Sequence, residues 1–318
     1  MLVGLDLWMI ALLSVVGVLL DLALGETRRW HPLVGFGRCA NALERYVNRG
    51  QQRTLRGCMA WCVMVMPGVL LAMFLTAAQS PASEVIHALL LYFCIGLRSL
   101  RDHALPIGDA LQTGNLDQAR MLTARIVSRD TADADAAALA KAGVESLLEN
   151  GNDAVFGTLF WFIVAGAPGA VLFRLANTLD AMWGYRSERF HTFGWAAARI
   201  DDGLNWIPAR LTALCYVLLA SSMADKRRAW SCWRAQAPAW SSPNAGPVMA
   251  SGAGALGLSL GGAAIYDGVR EDRPPLGAGR DADAADIGRA WRLVAGTTVL
   301  WLVVLASAAF LNGMMNHA

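Results

Sequence analysis

The sequence is short of charge. Only 16% of its 318 residues are Asp, Glu, Lys or Arg, against about a quarter in ordinary soluble domains. A hydrophobic content of 55% and a mean hydropathy of +0.39 point the same way, away from a water-soluble enzyme. Cysteine is sparse and unpatterned, with six residues and no CxxC pair. Neither a disulfide framework nor a zinc site follows, and Cys58, Cys62 and Cys215 read as structural thiols in apolar runs. No GxxxxGK[ST] pattern exists, which excludes a P-loop. No stretch alternates strictly between apolar and polar, so no strand is expected. The N-terminus, the 79–84 turn and the C-terminal tail contain no Lys or Arg at all.

What is present is long uncharged runs. Cys58–Ala78 has 21 residues without a charge and Leu293–Met315 has 23; a span needs about 20. Leu7–Leu20 lies between Asp6 and Asp21, and its lack of a basic leader argues against a signal peptide. Spans are therefore expected near 2–24, 58–78, 80–97 and 293–315. The fold class is all-α, a polytopic integral membrane protein reading as one membrane domain over 1–318. Seven arginines lie between the first two spans, and the other 20 Lys and Arg lie in 98–292. The positive-inside rule makes both regions cytoplasmic and both termini external.

Two further apolar segments, 154–173 and 204–223, fall inside the cytoplasmic functional region 98–292. Because 98 and 292 lie on one side, either both cross or neither does. The break in "AGAPGA" (165–170) favours re-entrant segments, tolerated where protein or a wet cavity satisfies the backbone. Pro208 falls near the start of the second, where a missing N–H costs little. Residues 250–264 are glycine-rich, with Gly257 and Gly261 read as close helix packing, and 270–286 reads as a surface loop.

The chemistry-bearing residues cluster. Lys141, Glu145, Glu149 and Asp153 repeat every four residues and so share one helical face. They form either a solvated face or a Mg²⁺ site made by Glu145, Glu149 and Asp153, since Mg²⁺ relieves repulsion between stacked carboxylates. In "RLANTLDAMWGYRSERFHTFGW" (174–195), Asn177, Asp180 and Gly184 share a face and Arg186 and Arg189 follow. Arginine forks suit phosphate and carboxylate; interfacial anchoring is the plainer reading. In "ARIDDGLNWIPAR" (198–210), Asp201 faces Asn205 while Asp202 reaches back to Arg199, which separates a functional from a structural aspartate. "SSPNAG" (241–246) is a tight turn that can present N–H groups to an anion.

Taken in order, "HPLVGFGR" (31–38), "SRDTAD" (128–133), "ESLLEN" (145–150) with Asp153, "ANTLDAMWGYRSERF" (176–190), "FGWAAARIDDGLNWIPARLTA" (193–213), "SPNAG" (242–246) and "LGG" (260–262) resemble the adenosylcobinamide-phosphate synthase family, CobD/CbiB, over nearly the whole chain. The sequence departs from the family pattern at Glu26–Thr27, at Ala154 and at Pro247–Val248–Met249.

The resemblance implies a multi-pass protein of the bacterial inner membrane that joins aminopropanol or its O-phosphate to adenosylcobyric acid. ATP and Mg²⁺ would be co-substrate and metal, the corrinoid a substrate, and no prosthetic group would be tightly bound. It implies Asp180, Asp201 and Asp153 as catalytic acids. Substrate or phosphate would be held by Arg129, Arg186, Arg189, Arg199, Asn177, Asn205, Ser242, Asn244 and His31. Expected partners are these small molecules, the lipid bilayer, and another copy of the chain or other cobalamin enzymes; no nucleic acid is expected. The competing classes are a corrinoid transporter and a non-enzymatic membrane sensor.

Overall fold

The computed structural model describes residues 4–27, 31–78, 80–185, 187–266 and 268–317. The elements run α1 (Leu7–Leu24), α2 (Pro32–Val47), α3 (Arg53–Leu75), α4 (Pro81–Cys94), α5 (Leu97–Gln112), α6 (Leu116–Thr123) and α7 (Ala136–Gly151). A π-helical turn, Asn152–Phe156, leads into α8 (Gly157–Trp183), followed by α9 (Trp195–Leu219) and α10 (Met223–Gln236). A 3-10 turn (Ala237–Ala239), α11 (Ala245–Leu256), β1 (Leu258–Tyr266), β2 (Val269–Gly277), β3 (Arg280–Asp281) and α12 (Ala284–His317) complete the chain.

The protein is all-α and polytopic, with a minor sheet. Five helical stretches are long and apolar enough to cross a membrane: Leu7–Leu24, Arg53–Leu75, Pro81–Gln112, Ala136–Trp183 and Ala284–Asn316. The four expected spans overlap four of these with displaced ends, and 154–173 falls within the fifth. The composition of their faces shows why lipid is needed. On α3, Leu70, Leu71 and Phe74 point outward while Val65, Val69 and Ala72 are buried. A helix apolar on every side has no water-facing surface.

Two compact units emerge. The first comprises Met1–Leu97, Asp153–Asn205 and Leu302–Ala318; the second comprises Arg98–Asn152 and Trp206–Trp301. In the first unit α8 packs against α3 and α4, and α1 packs against α4. Close packing depends on small residues: a Cβ on Gly57 would fall 1.9 Å from the Phe193 carbonyl oxygen. In the second unit α10 packs on α11, and α11 packs on α7 and the sheet.

The break in α8 falls where the glycine and proline place it. Ala165 (φ −138°, ψ 21°) and Gly166 (φ 59°, ψ −153°) leave helical geometry, the latter a conformation open essentially to glycine alone. His87 Nδ1 of α4 accepts the backbone N–H of Ala167 at 3.0 Å, partnering a group released by the break.

Three expectations are corrected. The 250–264 stretch is not one helical packing surface: α11 ends at Leu256, Gly257 caps it with φ 69°, and β1 begins at Leu258. Gly261 (φ 71°) lies at a bulge in β1, where a Cβ would stand 2.3 Å from the Pro274 carbonyl oxygen. The 270–286 segment is not a plain loop, since β2 pairs antiparallel with β1 from Ser259↔Gly277 to Tyr266↔Val269. Gly-Gly and Pro-Pro hide the strand period that would have shown it. Pro208 does not open a helix; it lies inside α9, which begins 13 residues earlier at Trp195. The carbonyl that a proline at 208 leaves without its intrahelical donor is that of Leu204, and the Trp161 indole N–H donates to it at 2.9 Å.

Candidate functional site

In the first unit α8 and α9 bring together an acid and amide cluster. Asn177 Nδ2 donates to Asp201 Oδ1 at 3.3 Å, and Asn205 Nδ2 donates to Asp201 Oδ2 at 3.1 Å. The pairing of Asp201 with Asn205 follows from their i,i+4 spacing. Asp201 and Asn205 are buried. Asp180 lies in the field of Asp201 and Asp202, and Asp153, on the π-helical turn, acts on Asp201. Burial first, then the Asp153 charge, raises the Asp201 carboxyl well above the usual carboxylate range, against the lowering effect of its two amide donors.

Gly184 closes α8 on this cluster, and a Cβ there would fall 2.0 Å from Asp180 Oδ1. Arg199 pairs with Asp202 at 3.4 Å, the i,i+3 pairing that their spacing predicts. One π-helical turn interrupts the four-residue repeat just at Asp153, a feature that recurs at functional sites.

Arg174, which the sequence did not single out, belongs to the same unit. Its charge acts on Asp153, Asp21 and Glu26, and its Nε is buried without a hydrogen-bond partner among the described residues. The signal that would have found it is its position three residues before Asn177, on the same helical face. His31 caps α2 by accepting the Leu33 N–H on Nδ1 at 3.2 Å. Burial pulls its pKa down, Glu26 opposes this and Arg174 reinforces it. Arg189 is committed to Glu44, with Nε–Oε1 at 3.0 Å and Nη2–Oε2 at 2.5 Å. Arg186 lies outside the described residues.

The second unit holds a cavity of about 580 Å³. Four of the expected residues line it: Arg129, Glu145, Glu149 and Ser242. Glu145, nearly inaccessible, is the keystone. It takes hydrogen bonds from Arg129 and from Arg273 (3.2 and 3.4 Å), and the backbone N–H of Gly261 donates to Oε1 at 2.8 Å. One carboxylate thus holds two guanidinium groups side by side, and Arg273 also lies over the Trp240 ring at 5.5 Å. Among the described residues Arg129 Nε and Nη1 have no partner, so they remain available to a ligand. Ser128, Ser146 and Ser241 add hydroxyls, and Glu149, Glu271 and Asp272 add carboxylates.

Arg273 and Trp240 were not foreseen. Arg273 is 128 residues from Glu145 in sequence, and no local pattern signals such a pairing. The "SPNAG" segment is a turn: Ser242 Oγ accepts the N–H groups of Asn244 and Ala245 at 3.3 and 3.1 Å and so starts α11. Asn244 Oδ1 accepts from Arg210 at 2.9 Å, and Arg210, also unforeseen, ties this turn to α9. The expected metal triad does not form. Among the described residues no three acids, histidines or cysteines gather closely enough to hold an ion, because Glu145 faces two arginines and the π-helical turn throws Asp153 out of the repeat.

The CobD/Cbib protein family profile matches residues 14–294. A protein of Stutzerimonas stutzeri, "Cobalamin biosynthesis protein CobD", is 55% identical over 302 residues, covering 94% of this chain and 98% of its own length. A protein of the same description from Chromobacterium violaceum is 52% identical over 314 residues, covering 96% and 99%. One from Mycobacterium tuberculosis is 37% identical over 304 residues, covering 95% and 94%. No solved structure matches the chain. With a profile match across most of its length and relatives identical at more than half their positions, this chain belongs to the CobD/Cbib protein family.

Proposed function

We propose that this protein is an enzyme of cobalamin biosynthesis, an ATP-dependent ligase joining aminopropanol or its O-phosphate to adenosylcobyric acid. The observation that carries the reading is the pair of arginines held by Glu145 on the wall of a hydroxyl-rich cavity, in a chain whose relatives are named for cobalamin biosynthesis. A carboxylate is a poor acyl donor. Its oxygen attacks the γ-phosphorus of ATP, ADP leaves, and an acyl phosphate forms. The amine nitrogen then attacks the acyl carbon, phosphate leaves, and the amine proton passes to a base.

Arg129, Arg273 and the cavity hydroxyls are assigned to the phosphoryl group, since guanidinium forks match its oxygens. Asp201 of the first unit is proposed separately as a base, on its own environment alone, because a carboxyl raised toward neutrality both accepts and releases a proton there. Glu271 and Asp272 would suffice for a Mg²⁺ ion that arrives with the nucleotide rather than a resident one, for Mg²⁺ uses one or two carboxylates plus phosphate oxygens. Bound there, the ion would offset phosphate charge.

The test is direct. Purified protein incubated with adenosylcobyric acid, aminopropanol phosphate and Mg-ATP is expected to give the amide and ADP in equal amounts by mass spectrometry. Intact, folded protein that makes no amide with either amine defeats the reading. We further place the basic regions in the cytoplasm of a bacterial cell, with both termini outside. Labelling of a cysteine put at Ser187 from the external face would reverse that placement.

A further inference from the structure

The second unit carries another cavity, of about 280 Å³, that the ligase reading does not use. It lies where the ends of α9 and α11 meet α12. Leu219 comes from the first and Ser221 from the turn that follows it, Leu256 from the second, and Arg289 and Arg292 from the third. No carboxylate lines it.

The two arginines differ. Arg289 is anchored, donating to Asp286 Oδ1 at 2.6 Å and to the Leu256 carbonyl at 2.7 Å. That second bond covers the carbonyl end of α11, which would otherwise repel an anion. Asp286 is also held by Arg280 at 2.7 and 2.9 Å, so its charge is fully matched. Arg292, one turn on, has no hydrogen bond or ion pair among the described residues. It is exposed and supplies the cleft's unmatched positive charge.

The depth of Arg292 is set by the sequence. It is the last charge before the 23 uncharged residues Leu293–Met315. At about 1.5 Å per residue these extend roughly 35 Å, a little more than the hydrocarbon thickness of about 30 Å. Arg292 therefore lies at the boundary where lipid phosphates lie. Below the cleft the surface is apolar. Leu218, next to Leu219, is 51% exposed, and Val299, one turn along α12 from Gly296 of the cleft wall, is 60% exposed.

We propose that this cleft binds the phosphate of an anionic membrane phospholipid, with Arg292 and the Ser221 hydroxyl as its ligands and the Leu218–Val299 flank as the acyl-chain track. This goes beyond the ligase reading and does not depend on it.

The test uses the full chain in nanodiscs containing equal phosphatidylglycerol and phosphatidylcholine, with retained lipid counted by native mass spectrometry after release into mild detergent. Wild type is expected to retain phosphatidylglycerol selectively. Arg292→Gln is expected to lower that selectivity about fivefold, the effect of one basic residue at a lipid surface, while Arg292→Lys stays near wild type. Arg227→Gln, on the exposed face of α10, is expected to change nothing. Unchanged selectivity in Arg292→Gln overturns the proposal. An equal fall in Arg227→Gln also overturns it, in favour of diffuse surface charge. Displacement of the lipid by inorganic phosphate at matched concentration would assign the cleft to a soluble phosphate and overturn the lipid assignment.

Discussion

The Trp161 indole N–H donates to the carbonyl oxygen of Leu204, the acceptor orphaned by Pro208. A side chain of α8 thereby completes the hydrogen bonding of α9 one residue before Asn205 and three after Asp201. Trp161→Phe keeps the ring and removes the donor. It is expected to lower stability by about 1 kcal/mol, the low end of the cost of leaving a carbonyl unpaired, since this one is half-buried, read as a fall in unfolding temperature in detergent. Trp161→Phe should also lower kcat more than it raises KM, because it loosens the helix that carries Asp201. A variant as stable as wild type would show that water replaces the indole.

The cavity of the second unit makes a prediction of opposite character. Glu145→Gln leaves two guanidinium groups facing each other with a neutral acceptor, and breaking such a buried arrangement typically costs about 3–5 kcal/mol. Arg273→Lys retains the charge but loses the fork and the stacking on Trp240. It is expected to fold normally and to weaken nucleotide binding about tenfold, equivalent to about 1.4 kcal/mol, measured by equilibrium dialysis with labelled ATP. Unchanged affinity in Arg273→Lys would remove this residue from the phosphate site.

The contrast between these two regions explains how far the sequence was legible. Uncharged runs located four spans because chain length against bilayer thickness is a one-dimensional property. The Asp201–Asn205 and Arg199–Asp202 pairs were legible because helical spacing alone puts their members together. The partners of Glu145 were not, since Arg129 lies 16 residues away, Arg273 lies 128, and the latter sits on a strand masked by Pro274–Pro275. The π-helical turn at Asn152–Phe156 likewise breaks the four-residue repeat, and the flanking Gly151 and Gly157 do not distinguish a π-helical turn from a plain helix.

Acid should release one clamp of the first unit. Burial on its own would raise the Glu44 carboxyl, but the hydrogen bonds and charge of Arg189, with Asn48, outweigh it and hold the pKa below the usual range. A carboxylate depressed on folding contributes stability that is fully present above its unfolded pKa of about 4.3 and is lost as pH falls through the folded value. Because Arg189 is 56% exposed, the contribution is discounted to about 1 kcal/mol or less. Glu44→Gln is therefore expected to flatten the loss of stability below about pH 4. Identical acid profiles for the two proteins would refute the clamp.

The break in α8 rests on two residues that fail differently. Gly166→Ala forces a Cβ into a region essentially reserved for glycine and is expected to cost about 1–3 kcal/mol. His87→Phe fills the same space but leaves the Ala167 N–H without its acceptor, at about 1–3 kcal/mol. His87→Asn, which keeps an acceptor, should recover part of that loss. Thermal unfolding of the three variants in one detergent checks the order, and equal stability of His87→Phe and wild type would mean the hydrogen bond contributes nothing.

Asp201 separates activity from stability. Its folded pKa is raised above the unfolded value of about 3.9. Protonated Asp201 is thus tolerated, and stability falls as pH rises from about 4 toward the folded pKa, the reverse of Glu44. Asp201→Asn removes the ionisation and preserves the shape. It is expected to be at least as stable as wild type at neutral pH, with the gap closing as pH is lowered toward about 4. As the proposed base, its loss should cut kcat by about 10²–10⁴-fold, and the wild-type rate should rise with pH through the raised pKa while the residual rate of the variant stays flat. Should Asp201→Asn turn over like wild type, the proton must go elsewhere, and the buried Asp201–Asn177–Asn205 arrangement would be a packing device between α8 and α9.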